Sequence, residues 1–406
     1  MVRKIQVSKR AAGMNYAIRE VAVPAAKLAA EGRKLCMFNI GDPNKWDFET
    51  PSYFKTALRK SVDHTDNGYG DSQGNPEFRN AIVDREYEKH GVTINAKDVF
   101  VTSGVGEAIN LLMGALVEPG DEILVPGPGY PSYMQYINFF GGKVVPYRMI
   151  EEEDWRPDVD MLRKRITDRT KAIVVINPNN PTGALYDTDV LLSMLQVARE
   201  HDLIVFSDEI YDRLVMDGLH HVSTASLAPD LTVVTMNGLS KSHSLCGYRC
   251  GWMVISGPRA ATDLYKRGIT ELTSMRLCSN ALAQLVIPAA LEDMETPASM
   301  VRPGGRYYEQ RKATTEVLDT IDGISYVKNV AAFYLFPKLD VKKFGITSDK
   351  VFARDLLQAT NILVVPGSGF DWAEPDHFRL VMLPAAGQLR EAMTRMGKFL
   401  DGYHQK

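Results

Sequence analysis

From residue 98 onward the chain switches between two hydrophobic periods. DVFVT (98–102) and EILVP (122–126) are short apolar runs that read as strands, and between them EAINLLMGALV (107–117) spaces its apolar residues as an amphipathic helix. EPGD (118–121) punctuates the return to strand. The alternation continues with a helix near SYMQYINFF, a strand KVVPYRM, a strand KAIVVI, a helix VLLSMLQVAREH and the strands LIVFS and TVVTMNGLS. Strand and helix alternating at this spacing predict right-handed crossovers and a mainly parallel sheet with helices on both faces. Ligands of such α/β folds sit at the carboxyl ends of the strands. After about residue 290, METPASMVRPGGRYYEQ breaks the rhythm. A mixed segment follows with ISYV, FYLFP, ILVVPG and HFRLVML as expected strands, which predicts a smaller α+β lobe.

Composition narrows the classes. With 406 residues, 45% of them hydrophobic, the chain can bury a sizeable core and divide into two lobes. The formal charge of −3 comes from interspersed acids and bases, which argues against a nucleic-acid surface or a polybasic membrane anchor and favours small polar ligands. Cys36, Cys246, Cys250 and Cys278 form no C-x-x-C pair, so they are read as reduced, mostly buried thiols with no metal site. The start carries no apolar signal region and no run nears a membrane span, which predicts a soluble cytoplasmic protein.

The chemistry-bearing residues gather at strand ends. LIVFS runs into SDEIYD, placing Asp208 at the sheet's carboxyl edge with Tyr211 three residues on. Asp208 serves there either as a helix N-cap, with Glu209 in the first turn, or as a catalytic carboxylate. INPNNPTG (176–183) holds Asn180, a donor and acceptor, in a proline-stiffened turn. Lys241 follows another strand in LSKSHSLCGYRCGW, with Arg249 eight residues later. A lysine at the mouth of an α/β sheet can form a Schiff base, and partial burial beside other cations is expected to lower its amine pKa.

SDEIY, NPNNPTG and SK followed by Arg249 together resemble the signature of class I/II aminotransferases, fold-type I enzymes that use pyridoxal 5′-phosphate. MNYAIRE, NIGDP, YGDSQG, INPNNPTGALY, NGLSK, MRLC, FPK and HFRLVMLP bring the chain closest to the alanine (glutamate–pyruvate) branch. The resemblance implies an N-terminal arm and part of the small domain over 1–49, and a large cofactor domain over 50–293 with a mainly parallel seven-stranded sheet between helices. A small C-terminal domain then spans 294–406. It implies a ping-pong exchange between L-alanine/pyruvate and 2-oxoglutarate/L-glutamate in a homodimer with shared active sites.

By the same resemblance Lys241 binds the cofactor and moves the proton, Asp208 pairs with the pyridine nitrogen, and Tyr211 and Asn180 contact the ring oxygen. Tyr130 stacks on the ring. Val105, Gly106, Ser240 and Arg249 receive the phosphate, joined by Tyr69 from the other subunit. Gly41 and Arg379 take the substrate α-carboxylate, and Tyr16 and Arg19 close the pocket, Arg19 being the expected cation for a second carboxylate. Gly238 stands where the wider family often has serine, and Ala331 where it has glycine; the first predicts one phosphate contact fewer, the second a different backbone at the cleft. The competing readings are an aminotransferase for aspartate or aromatic amino acids, a lyase using the same cofactor, and a non-catalytic ligand-sensing module.

Overall fold

The computed structural model describes residues 4–14, 18, 21–64 and 68–406. Its strands are β1 (Cys36–Met37), β2 (Val99–Thr102), β3 (Glu122–Gly127), β4 (Lys143–Ile150), β5 (Arg156–Pro157), β6 (Thr170–Ile176), β7 (Ile204–Asp208), β8 (Val233–Gly238) and β9 (Gly251–Ser256). All but β1 form one sheet in the order β2-β9-β8-β7-β6-β3-β4-β5. The run from β8 to β4 is parallel, while β9 is antiparallel to both of its neighbours. The eighth strand, two-residue β5, is an antiparallel edge that no alternating pattern announced.

Because successive strand residues point to opposite faces, each strand feeds two cores. Val99 and Val101 join Leu124, Val175 and Val205 on one side, while Phe100 joins Ile123, Val174, Phe206 and Met253 on the other. The helix Val105–Leu116 packs Ile109, Leu112 and Met113 into the second of these. Parallel pairing brings the carboxyl ends of β6, β7 and β8 to one edge, where Asn177–Asn180, Asp208–Tyr211 and Leu239–Lys241 emerge.

The later strands are β10 (Ile324–Ser325), β11 (Tyr334–Leu335), β12 (Lys338–Leu339), β13 (Ile362–Leu363), β14 (Val365–Pro366) and β15 (Phe378–Val381). FYLFP and ILVVPG are each expected as single strands, and the structure divides both. Pro337 lacks the N–H that a continuing ladder needs, so β11 pairs with β15 and β12 with β10. β13 pairs in parallel with β1, whereas β14 joins β15. Leu389, Met393, Met396 and Leu400 on the helix Ala386–Leu400 cover these strands with a third apolar cluster. Among the described residues no helix is long and apolar enough to cross a membrane. Of the four free thiols only Cys250 is buried; the others are half-buried, against the expectation from composition.

Candidate active site

A cleft of about 480 Å³ opens at the carboxyl edge of the sheet. Gly41, Val105, Gly106, Tyr130, Asn180, Asp208, Tyr211, Ser240, Lys241, Arg249 and Arg379 all line it. Of the expected site residues that the structure describes, only Tyr69 does not line it. Tyr16 and Arg19 lie outside the described residues, and Tyr69 is 83% exposed, away from the cleft of its own chain.

Lys241 leaves the end of β8 and donates from Nζ to the Gly41 carbonyl at 2.6 Å. Burial opposes its charge, but Cys246, Tyr334 and Asp42 outweigh burial and hold the ammonium above its ordinary range. The expected lowering of the amine is therefore reversed: the acids Cys246, Tyr334 and Asp42 together outweigh burial and the opposing Arg379. Cys246 donates to the Ser240 carbonyl at 3.0 Å, 4.0 Å from Nζ, and its thiol is itself pushed up by burial.

Asp208 ends β7 and is buried. Burial lifts its carboxyl to about 6, against hydrogen bonds from Tyr133 Oη at 3.0 Å and the Ile210 amide at 3.3 Å. The capping reading fails, because a turn rather than a helix follows. Glu209 is not in a helical first turn either; it is buried, and its Oε1 accepts from Ser207, Ser223 and the Thr224 amide.

Tyr211 Oη and Tyr334 Oη are 2.7 Å apart, both buried. Arg379, from β15, is 1% exposed. It donates to Asn180 Oδ1 at 3.0 Å and to the Asn39 carbonyl at 2.5 Å, and its guanidinium lies 4.7 Å from the centroids of both Tyr334 and Phe370. Such a stacked, hydrogen-bonded fork is pre-organised for a carboxylate in a way lysine cannot match.

At the other end of the cleft the helix Val105–Leu116 begins. The Val105 and Gly106 amides have no intrahelical acceptor there, which makes an anion seat. Arg249, with φ 54°, donates to the Cys246 and Ser103 carbonyls and spreads its guanidinium over Gly104. A Cβ on Gly104 would meet Nη2 at 2.3 Å, so glycine is what admits the arginine. Gly238 is similarly obligatory: a Cβ would meet the Cys250 carbonyl at 2.8 Å, which is why serine is absent. At the other departure, the left-handed residue is Ala332, φ 55°, and not Ala331, whose N–H bonds the Gly183 carbonyl at 3.0 Å.

Tyr133, Tyr334, Cys246 and Asp42 belong to the site without having been singled out. Tyr133 in GPGYPSY and Tyr334 in AAFYLFP stand within motifs already read, and only the tertiary contact separates them from core aromatics.

The family model for aminotransferase class I and II matches residues 34–396. The chain is a class I and II aminotransferase. It is 41% identical to the glutamate-pyruvate aminotransferase AlaA of Escherichia coli K12 over 99% of each chain, and 42% identical to the alanine aminotransferase of Mycobacterium tuberculosis H37Rv over 94% of this chain and 89% of that one. Among solved structures, an Escherichia coli aminotransferase superposes with a TM-score of 0.97 at 40% identity over the full length of both chains. The alanine aminotransferase of Pyrococcus furiosus does so at 0.93 and 47% identity, over 98% of this chain and all of that one. The aminotransferase's cofactor is pyridoxal 5′-phosphate. The cleft fits that group: an open helix start with an arginine at one end, a buried carboxyl at the other, and a lysine between.

Proposed function

We propose that this aminotransferase exchanges amino groups between L-alanine/pyruvate and 2-oxoglutarate/L-glutamate. The observation that carries the proposal is the placement of Lys241, Asp208 and Arg379 on one cleft in a chain colinear with relatives named for that exchange. Bound pyridoxal phosphate would supply the electron sink that makes the substrate's Cα–H acidic.

Lys241 would hold the cofactor and would move the proton to and from the substrate's Cα. Asp208, buried at the end of β7, would keep the pyridine nitrogen protonated. Asn180 and Tyr211 hold the ring oxygen, and Tyr130 packs on the ring. Val105, Gly106, Ser240 and Arg249 bind the phosphate, with Tyr69 of a second copy completing it. Arg379 and the Gly41 backbone receive the α-carboxylate, and a Cβ at Gly41 would meet Tyr334 Oη at 2.3 Å, which keeps that wall tight. Tyr16 and Arg19 close the pocket, Arg19 meeting the distal carboxylate of 2-oxoglutarate. The working unit is a cytoplasmic homodimer, each subunit divided at about residues 49 and 293.

Single-turnover spectra with a panel of amino acids test this. Alanine and glutamate are expected to convert the cofactor from its aldehyde to its amine form at least tenfold faster than aspartate or phenylalanine, and Lys241→Ala is expected to abolish turnover. Faster aspartate conversion, or release of free ammonia, would overturn the assignment.

A further inference from the structure

Tyr334 touches both Tyr211 and Arg379. Its strand β11 is antiparallel to β15, with Tyr334 opposite Val381 and Leu335 opposite Leu380, so the ladder that places Tyr334 also places Arg379. The ring faces the Arg379 guanidinium at 4.7 Å, and the hydroxyl reaches 2.7 Å from Tyr211 Oη. Tyr211 comes from the far side of the cleft, after β7. The two segments are tied beside the pair by the Ala332 amide, which donates to the Leu214 carbonyl at 2.8 Å, and Leu214 in turn donates to the Tyr211 carbonyl at 2.8 Å. The rings are held edge to face at 84°.

We propose that Tyr334 is a positioning residue: its hydroxyl donates to Tyr211 Oη, and its ring seats Arg379, so that one side chain links the cofactor-facing phenol to the carboxylate clamp. This rests on the reading of Tyr211 as the group that donates to the cofactor's ring oxygen. A phenol has one proton to give and two lone pairs to receive. If Tyr334 donates, Tyr211 keeps its own proton for an acceptor in the cleft, and the two bonds polarise each other. If Tyr211 donated to Tyr334, the cleft acceptor would lose its partner. Burial holds the Tyr211 phenol well above its ordinary range, so it is protonated at working pH. The ionisable groups that interact with the pair are Asp208, Lys241, Arg379 and Tyr307.

The test uses the full-length, cofactor-loaded enzyme. The pH midpoint of its visible cofactor band is titrated without substrate, and KM for alanine is measured in parallel. Weakening donation to the ring oxygen destabilises its anionic form and raises the midpoint. Tyr334→Phe is therefore expected to raise it by roughly half a unit to one unit, the scale of one net hydrogen bond. Tyr211→Phe is expected to raise it further, and the double variant to match Tyr211→Phe alone. Tyr334→Ala, which removes the seat, is expected to raise KM for alanine about tenfold, and Tyr334→Phe, which keeps the ring, far less. A midpoint that stays or falls in Tyr334→Phe while Tyr211→Phe raises it would overturn the proposal, as would additive shifts. A midpoint that ignores Tyr211→Phe as well would remove the reading of Tyr211 itself, and the proposal with it.

Discussion

In its proposed role at the pyridine nitrogen, Asp208 sets chemistry against stability. Its carboxyl is raised to about 6 from an unfolded value near 3.8, so its favourable contribution to the cofactor-free protein is complete below about 3.8 and is lost as pH rises through 6. Asparagine keeps the shape without the buried charge. Asp208→Asn is thus expected to stabilise the cofactor-free protein at pH 7.5 by about 1–3 kcal/mol, with the gain vanishing near pH 4, while turnover falls by roughly two orders of magnitude. Urea unfolding at the two pH values and steady-state rates check both halves. Gly238→Ser pushes the other way, because its Cβ meets backbone and not a movable side chain; a loss of about 1–3 kcal/mol is expected in the same assay. Lys241, Asp208 and Asn180 were legible in sequence because each sits at or just past a strand end inside a short motif, and Arg379 because it stands within the strand motif HFRLVML. Tyr133 and Tyr334 were not, since their hydroxyls find Asp208 and Tyr211 across 75 and 123 residues, and no local pattern encodes a meeting at that range.

At the scale of elements, the helix Pro76–His90 was the least legible, its sequence being rich in charge with little apolar periodicity. It is buried along one edge all the same, because Arg85 and Lys89 pair with Asp212, Arg85 also pairs with Glu86, and His90 reaches the segment after β7. Ligand atoms of His90, Glu209 and His221 lie within 4.8 Å of one another. Burial depresses His90 to about 2 and His221 to about 4, whereas it lifts Glu209 to about 8. Between pH 4.5 and 6.5 the unfolded chain takes up two histidine protons that the folded chain refuses, and the folded chain holds one carboxyl proton that the unfolded chain sheds. One net proton remains, so this cluster removes about 1.4 kcal/mol of stability per pH unit on acidification below about 6.5. Glu209→Gln deletes the opposing term and is expected to steepen that slope about twofold, read from unfolding free energies at pH 6.5, 5.5 and 4.5. The large sheet was readable from its long apolar runs. The two-residue strands were not: β1 and β5 are too short to show a period, and the splitting of FYLFP and ILVVPG is decided by which partner strand lies alongside.

At the scale of the whole molecule, Tyr69, Leu264 and Met275 are large side chains left at least 80% exposed, surface that the proposed second copy would cover in part. If Tyr69 serves the partner's site, mixing Tyr69→Phe chains with Lys241→Ala chains leaves one wholly unmutated site in every hybrid. Complementation to about a quarter of wild-type activity is then expected at statistical mixing, against none above the parents' average if Tyr69 acts within its own chain. Arg379 reaches the Asn39 carbonyl over 340 residues, the N-terminal segment being paired through β1 with β13 near the chain's end. During synthesis, therefore, Asn39 waits while nearly the whole polypeptide is made, roughly 20–70 s at usual ribosomal speeds. The sheet with Lys241 and Asp208 is complete in the nascent chain well before the clamp exists. If Arg379 is the carboxylate clamp proposed above, an interrupted translation product carries Lys241 and Asp208 without the means to hold an amino acid in register, and substrate selectivity is the last property the growing chain acquires.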